Sequence, residues 1–250
     1  MNTQVIKMAN QSERNPEIFF SLQGEGPKIG LPSVFVRLSN CNLTCVWCDT
    51  PYTWNWKNTS YVHDQNLKFD KELESSDIEL LDVKNSILRF NCPRVIYTGG
   101  EPMLQQKRLT ALNALLLTED ITEIELETNA TIQPTEEFDK NVSLYVCSPK
   151  LSNSRIQKSL RIKSNVMNWF AQSKKAVFKF VISNENCLNE VKELVEEYKI
   201  PKNKVYLMCQ SVNVEQLERN QKDLALMCLQ SGFMYSDRLH LRLYGDERGT

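Results

Sequence analysis

The stretch LSNCNLTCVWCDTPYTW, residues 38–54, places Cys41, Cys45 and Cys48 at a Cys-x3-Cys-x2-Cys spacing. In a chain of 250 residues with eight cysteines, that spacing arises by chance in roughly 1% of such sequences, so it asks for a chemical reason. A structural zinc site closes a tetrahedron with four protein ligands. No fourth cysteine or histidine stands close by: the next candidates are His63 and, farther along, Cys92. A 4Fe–4S cubane held by three thiolates instead keeps one iron free for an external ligand. Three is then a working number, because the open iron is where chemistry takes place. A zinc-stabilised interaction module without catalysis is the competing reading of the cysteines alone.

The rest of the chain bounds what surrounds that chemistry. Hydrophobic residues make up 41% and charged residues 24% of the chain. At this length roughly three quarters of the unfolded surface can be buried without a disulfide or metal staple. A formal net charge of −1 and no Lys/Arg run argue against a phosphate-backbone footprint, so no direct nucleic-acid contact is expected. No window approaches the roughly 18 apolar residues that span a bilayer, and the first residues carry no signal-peptide-like run. Clustered thiols in such a chain point to a reducing cytosol, hence a cytoplasmic protein with no membrane partner. Cys92, Cys147, Cys187, Cys209 and Cys228 stand in or beside apolar patterns and read as small core residues.

Outward from the cysteines, short apolar runs alternate with helical patterns. SVFVRLS (33–39), RVIYT (94–98), EIELET (123–128), SLYVCS (143–148), AVFKFVIS (176–183) and KVYLMCQ (204–210) read as buried strands. Helical periodicity is clearest over 185–198 and 213–231; a further helix is predicted over 103–118 and a less regular one within 70–90. Between 128 and 143 the linker is too short and polar to predict a crossover helix. RLHLRLYGDERGT reads as a final strand, with Leu239, Leu241 and Leu243 on one side and Arg238, His240, Arg242 and Tyr244 on the other. Repeated strand–helix–strand units give an α/β fold: an incomplete parallel β/α barrel of about six strands with fewer helices. The whole chain, 1–250, reads as one domain with a polar surface insertion near 55–68.

These residues resemble the radical S-adenosylmethionine (SAM) enzymes, whose signature is this cysteine spacing with an aromatic residue before the last cysteine, where Trp47 stands. That resemblance implies SAM bound to the open iron and cleaved by one electron to a 5′-deoxyadenosyl radical; the cofactor carries the hard chemistry. TGGEP (98–102) taken alone is a strand-to-helix turn. Beside the cysteines it gains weight, because its glycines allow close backbone approach and it ends a barrel strand, where ligand sites lie. The segments FFSLQGEGPKIGLPSVFVRLSNCNLTCVWCDTPYTW, YTGGEPML, ELETNAT, CSPK and RLHLRLYGDERGT resemble the 7-carboxy-7-deazaguanine synthases over residues 19–250. The resemblance implies a lyase of queuosine and 7-deazapurine biosynthesis, in which 6-carboxy-5,6,7,8-tetrahydropterin contracts to 7-carboxy-7-deazaguanine with loss of ammonia. A glycyl-radical-enzyme activase shares the cluster spacing but acts on a protein, and the LQGEG, Arg37 and Thr50 set separates the two.

The same resemblance distributes roles along this chain. Cys41, Cys45 and Cys48 hold the 4Fe–4S cluster. Gly100, Glu101, Asn129, Ser148, Pro149 and Lys150 meet SAM. Leu22, Gln23, Gly24, Glu25, Arg37, Thr98, Glu127, His240 and Thr250 meet the pterin. Arg37 interrupts an apolar strand; its own chemistry fits a buried salt bridge or a contact to a ligand carboxylate worth roughly 1.5–3 kcal/mol. Glu25 and Glu127 suit the guanidine-like edge of a pterin, though each also reads as an ordinary loop or strand-end carboxylate. Glu127 and His240 are the candidates for proton handling, and no catalytic role is fixed on either. Thr50 before Pro51 reads as a helix N-cap, whereas the resemblance gives it Mg²⁺, with Asp49 as an outer acceptor. The implied partners are a flavodoxin-like electron donor and a second copy in a homodimer. Three departures stand out: Asn40 and Ala130 replace glycines common in the family, and MCQS (208–211) replaces a Pro-containing turn that contacts SAM.

Overall fold

A computed structural model describes residues 5–12 and 14–250. The chain opens with β1 (Val5–Ser12), β2 (Asn15–Pro16) and β3 (Ile18–Leu22), and β4 (Pro32–Leu38) leads into the cysteine loop. Then come α1 (Lys71–Glu74), β5 (Ser75–Glu79) and α2 (Leu80–Leu88). Strand and helix alternate from there: β6 (Arg94–Gly99), α3 (Gln106–Leu116), β7 (Glu123–Thr128), α4 (Glu136–Asn141) and β8 (Leu144–Cys147). The second half adds α5 (Lys158–Arg161), α6 (Ser164–Gln172), β9 (Ala176–Ile182), α7 (Glu185–Glu197) and β10 (Val205–Cys209). It closes with α8 (Val214–Ser231), β11 (Met234–Ser236) and α9 (Leu239–Tyr244).

All strands join one 11-stranded sheet ordered β11-β10-β9-β8-β7-β6-β4-β1-β2, with β3 on β4 and β5 on β1. From β4 to β11 every pairing is parallel and follows chain order. Right-handed crossovers between strands that never reverse order put the crossover helices on one face, leaving the other to curl inward. The molecule is thus a partial parallel β/α barrel. The six predicted strands are β4 and β6 to β10; β11 extends the series by one short parallel strand.

Alternation along each strand sorts side chains between the two faces. Val34, Val36 and Leu38 of β4, Val95 and Tyr97 of β6, Ile124 and Leu126 of β7, and Phe178 and Phe180 of β9 join the main core under the helices. α3 supplies Leu109, Leu112 and Leu116, and α7 supplies Cys187, Leu188, Val191 and Leu194. Burial of each such side chain stabilises by about 1.5–3 kcal/mol, so the scaffold rests on this convex side. The intervening positions, among them Arg37, Thr98, Glu127, Lys179 and Met208, point into the barrel and line a cleft. The five cysteines assigned to the core are all buried.

The predicted helices over 185–198 and 213–231 are α7 and α8. Asn184 and Asn213 cap them through Cys187 N at 3.1 Å and Gln216 N at 2.9 Å. α8 ends on Gly232 at φ 73°, a left-handed closure that glycine enters without strain. The 103–118 helix is a 3-10 turn, Pro102–Gln105, continued by α3. The irregular pattern within 70–90 resolves into α1, β5 and α2, because β5 breaks it to pair with β1.

Two expectations are corrected. The 128–143 linker does hold a helix, α4, capped by Thr135 and anchored by the fully buried Phe138. The terminal segment is not a strand. Asp237 accepts from Arg238 N at 2.9 Å and Arg242 Nε at 2.7 Å, closing a turn that becomes α9. Of its three leucines only Leu241 is buried, while Leu243 is exposed. No helix among the described residues is long and apolar enough to cross a membrane.

Candidate active site

At the carboxyl end of β4 the chain leaves the sheet and folds the cysteine loop over the mouth of the barrel. Its root is pressed against the end of β6: Gly100 N donates to Leu38 O at 3.0 Å and Glu101 N to Asn40 O at 2.8 Å. A Cβ at Gly100 would collide with the Asn40 carbonyl, and Gly99 has φ 106° beside Leu38. The paired glycines of TGGEP therefore let two backbones touch where any side chain would hold them apart.

Two of the three sulfurs, those of Cys41 and Cys48, face N–H groups. Leu43 N lies 3.4 Å from Cys41 Sγ, Trp54 Nε1 3.3 Å from Cys48 Sγ, and Asn129 Nδ2 4.0 Å from Cys41 Sγ. Donors directed at sulfur suit thiolates, and the three lie on one loop beside a cavity with no fourth ligand among them. Burial pushes the Cys45 thiol up to about 12 and raises Cys41 and Cys48 as well, so ionised sulfur here needs a cationic partner. Among the described residues no group of three or more His, Cys, Asp or Glu side chains is arranged for a single metal ion. Three cysteine sulfurs with no fourth protein ligand are the donor chemistry of a 4Fe–4S cluster that keeps one iron open.

Along the ends of β7 and β8 lie the residues expected to meet SAM. Gly100, Asn129, Ser148 and Lys150 line the cleft. Lys150 Nζ donates to Ser148 Oγ at 3.1 Å and sits 5.6 Å over the Trp47 ring. Glu101 is placed differently. Fully buried, its carboxylate accepts from Met103 N at 2.9 Å, Thr128 Oγ1 at 2.8 Å and Asn129 N at 2.7 Å. It fastens the ends of β6 and β7 together, and neither it nor Pro149 is among the residues lining the cleft. Of Met208 to Ser211, Met208 lines the cleft, while the Ser211 carbonyl accepts from Arg238 Nη1.

Deeper in the barrel the walls are charged. Arg37 Nε donates to Glu17 at 2.6 Å, and the fully buried Glu17 also accepts from Tyr52 OH at 3.0 Å. Hydrogen bonds among the described residues use only Nε of Arg37, so its two terminal nitrogens remain for a ligand. Across the barrel, Glu25 contacts Lys179 and accepts from Arg238 Nε at 3.1 Å. Burial alone would raise its carboxyl, but Lys179 and Arg238 hold it well below the usual carboxylate range. Glu127 accepts from Thr98 Oγ1 at 2.8 Å and lies 3.6 Å from Lys179. Gln23 reaches Glu125 at 2.7 Å and Glu127 at 3.4 Å. Leu22 completes this wall.

The LQGEG loop and the C-terminal segment lock together. Leu239 N donates to Gly24 O at 2.9 Å, and the His240 ring lies where a Cβ on residue 24 would stand. His240 Nε2 is 3.9 Å from Glu25, and burial lowers its pKa despite that carboxylate. Arg238 also grips Asp49 at 2.5 Å. Arg248 stacks 3.5 Å over Tyr52 and pairs with Glu74 at 2.8 Å, placing Thr250 on the cleft wall. Thr50 starts a 3-10 turn, Pro51–Thr53, but its side chain makes no capping bond; Oγ1 lies 3.7 Å from Cys48 Sγ, facing the cleft.

The loop over 55–68 also packs inward: buried His63 reaches Cys48 O at 2.8 Å, and Asp64 N donates to Val46 O at 2.8 Å. It buttresses the cysteine loop from behind. The cleft-lining groups surround a cavity of about 350 Å³, within the range of small-molecule sites. Sequence reasoning missed Glu17, Trp54, Lys179, Arg238 and Arg248. For Lys179 a signal existed, since a lysine between Phe178 and Phe180 interrupts an apolar strand as Arg37 does.

Known proteins can be set beside this geometry. A family model described as a 4Fe-4S single cluster domain matches residues 22–168. The chain is 35% identical over 238 residues to the 7-carboxy-7-deazaguanine synthase of Pyrobaculum aerophilum, covering 93% of this chain and 95% of the relative. It is 32% identical to the enzyme of that name from Rhodopirellula baltica, over 94% of this chain and 87% of the other. The crystal structure of QueE from Escherichia coli shares the fold, with a TM-score of 0.65 at 21% identity, covering 94% and 95% of the two chains.

Proposed function

The chain belongs to the 7-carboxy-7-deazaguanine synthase family, and from that premise we propose which of its residues carry the reaction. The enzyme contracts 6-carboxy-5,6,7,8-tetrahydropterin to 7-carboxy-7-deazaguanine with release of ammonia, using a 4Fe–4S cluster and SAM. Held by the three cysteines and the residues at the ends of β6 to β8, the cluster and SAM would supply the radical chemistry that starts the rearrangement. The protein's own part is to bind, orient and exclude water.

In this assignment Cys41, Cys45 and Cys48 hold the cluster, with Trp54 and Leu43 donating to sulfur. Gly100, Asn129, Ser148 and Lys150 form the SAM wall, which Glu101 holds in register from behind. The terminal nitrogens of Arg37 take the substrate carboxylate in a charge-assisted contact. Glu25, Glu127, Gln23 and Thr98 meet the opposite, donor-rich edge of the ring. Thr50, whose hydroxyl makes no capping bond, would supply one protein ligand to Mg²⁺. His240 and Thr250 close the far wall. A flavodoxin-like electron donor and a second copy of the chain are the partners suggested by the family, in a reducing cytoplasm.

The observation that carries this reading is the charge layout of one cavity. A single Arg37 fork lies free on one side, paired carboxylates on the other, and three thiols at the rim, two of them facing N–H groups. It is tested by incubating reconstituted protein without oxygen with the carboxylated pterin, SAM, Mg²⁺ and a reductant. The contracted ring should form only with all components. An Arg37→Ala variant should raise KM by ten-fold or more, about 1.4 kcal/mol, with cluster content unchanged. Loss of iron in that variant would make Arg37 a structural residue instead.

A further inference from the structure

Lys179 has no task in the assignment above, yet its position is costly. It stands in the middle of β9 with its side chain only 6% exposed, and an ammonium taken out of water is strongly penalised unless paired. Two carboxylates from separate elements pair it: Glu25, on the loop after β3, in direct contact, and Glu127 of β7 at 3.6 Å. Without a cation between them these carboxylates would face one another across a poorly solvated gap. Their remaining partners are groups of the same cleft wall. Arg238 holds Glu25 at 3.1 Å, and Thr98 and Gln23 hold Glu127 at 2.8 Å and 3.4 Å. An ionised carboxylate offers about four lone-pair directions, so both keep acceptor capacity toward the cleft that they line.

We propose that Lys179 is a positioning residue: its ammonium holds Glu25 and Glu127 side by side as one acceptor pair for the N–H groups of the ligand's guanidine-like edge. The pair thereby sets a preference for a 2-amino over a 2-oxo heterocycle. This deepens the pterin reading of the cleft and rests on it. The competing role, in which Lys179 takes the ligand carboxylate itself, duplicates Arg37, whose terminal nitrogens are free on the other wall. A ligand carboxylate placed at Lys179 would also sit against both glutamates.

Three fluorescent, stable probes separate these roles: 6-carboxypterin, 6-carboxylumazine, in which a 2-oxo group replaces the 2-amino group, and pterin without the carboxylate. Their dissociation constants are measured by fluorescence titration on full-length wild type, Lys179→Met and Lys179→Arg, each reconstituted with its cluster. Wild type should prefer 6-carboxypterin over 6-carboxylumazine by about ten-fold or more, since a site built for N–H donors rejects an acceptor. Lys179→Met should bring that ratio near one, and Lys179→Arg should restore most of it because the charge is kept. The ratio of 6-carboxypterin to pterin should hardly move. A ratio is taken on one preparation, so partial unfolding of a variant does not imitate the effect. An amino-to-oxo ratio unchanged in Lys179→Met overturns the proposal, as does collapse of the carboxylate ratio. Wild type that binds none of the three probes overturns this proposal and the pterin reading together.

Discussion

Cys48 Sγ accepts an indole N–H from Trp54 at 3.3 Å, and so small a feature has an electrochemical consequence. A donor to a cluster thiolate stabilises the more negative, reduced state and so raises the reduction potential. Trp54→Phe should assemble a full cluster yet titrate at a lower potential in a redox titration followed by electron paramagnetic resonance; an unchanged potential would remove Trp54 from the cluster's environment. Ala130 shows the opposite case, a residue at odds with its backbone. Its φ is 59°, where a Cβ costs about 1 kcal/mol, and glycine is common in the family there. Ala130→Gly should therefore stabilise by about 1 kcal/mol in urea unfolding. Asn40, the other departure, has φ 75°, which asparagine tolerates. Neither left-handed backbone could be read from the sequence without the family's glycines beside it.

Among elements, contacts of loops and strand ends position the site, and glycines decide how close they come. Gly100→Ala would press a Cβ into the Asn40 carbonyl at the root of the cysteine loop. Its iron content after reconstitution should fall well below that of wild type while the circular dichroism of the barrel persists. Gly24→Ala acts at the other wall by pushing the His240 ring and α9 away. There the cluster should load normally and KM should rise ten-fold or more, about 1.4 kcal/mol, because Arg238, which leads into α9, reaches Glu25 and Asp49. α9 was also the element least legible from sequence. Leu239, Leu241 and Leu243 alternate as in a strand, but β11 has already taken the sheet edge at Met234–Ser236. The Asp237 side chain then turns the chain into the cleft. β1 and β5 were missed for a related reason. They pair with each other at the sheet's antiparallel margin, and β5 (SSDIE) buries none of its residues fully.

For the whole molecule, scaffold and chemistry occupy opposite faces of one sheet. The six strands buried under helices were legible because apolar residues fill their convex positions. The same apolar runs hid Lys179 and obscured the charged interior, since periodicity reports which residues are buried without saying against what. Because the main core lies under the helices and includes none of Cys41, Cys45 and Cys48, folding should not depend on the cluster proposed to sit on them. A Cys41→Ala/Cys45→Ala/Cys48→Ala variant should keep its far-ultraviolet circular dichroism and a cooperative melt while losing iron, colour and activity. An unfolded variant would show that the metal centre is part of the scaffold.

The proposed reaction requires one cluster iron left without a protein ligand. Oxygen-free, reconstituted protein reduced in the cavity of a paramagnetic resonance spectrometer, with and without SAM, tests this most directly. A reduced 4Fe–4S signal whose shape and g values change when SAM is added is the expected result. A spectrum indifferent to SAM, or protein that binds zinc and gives no signal, contradicts it.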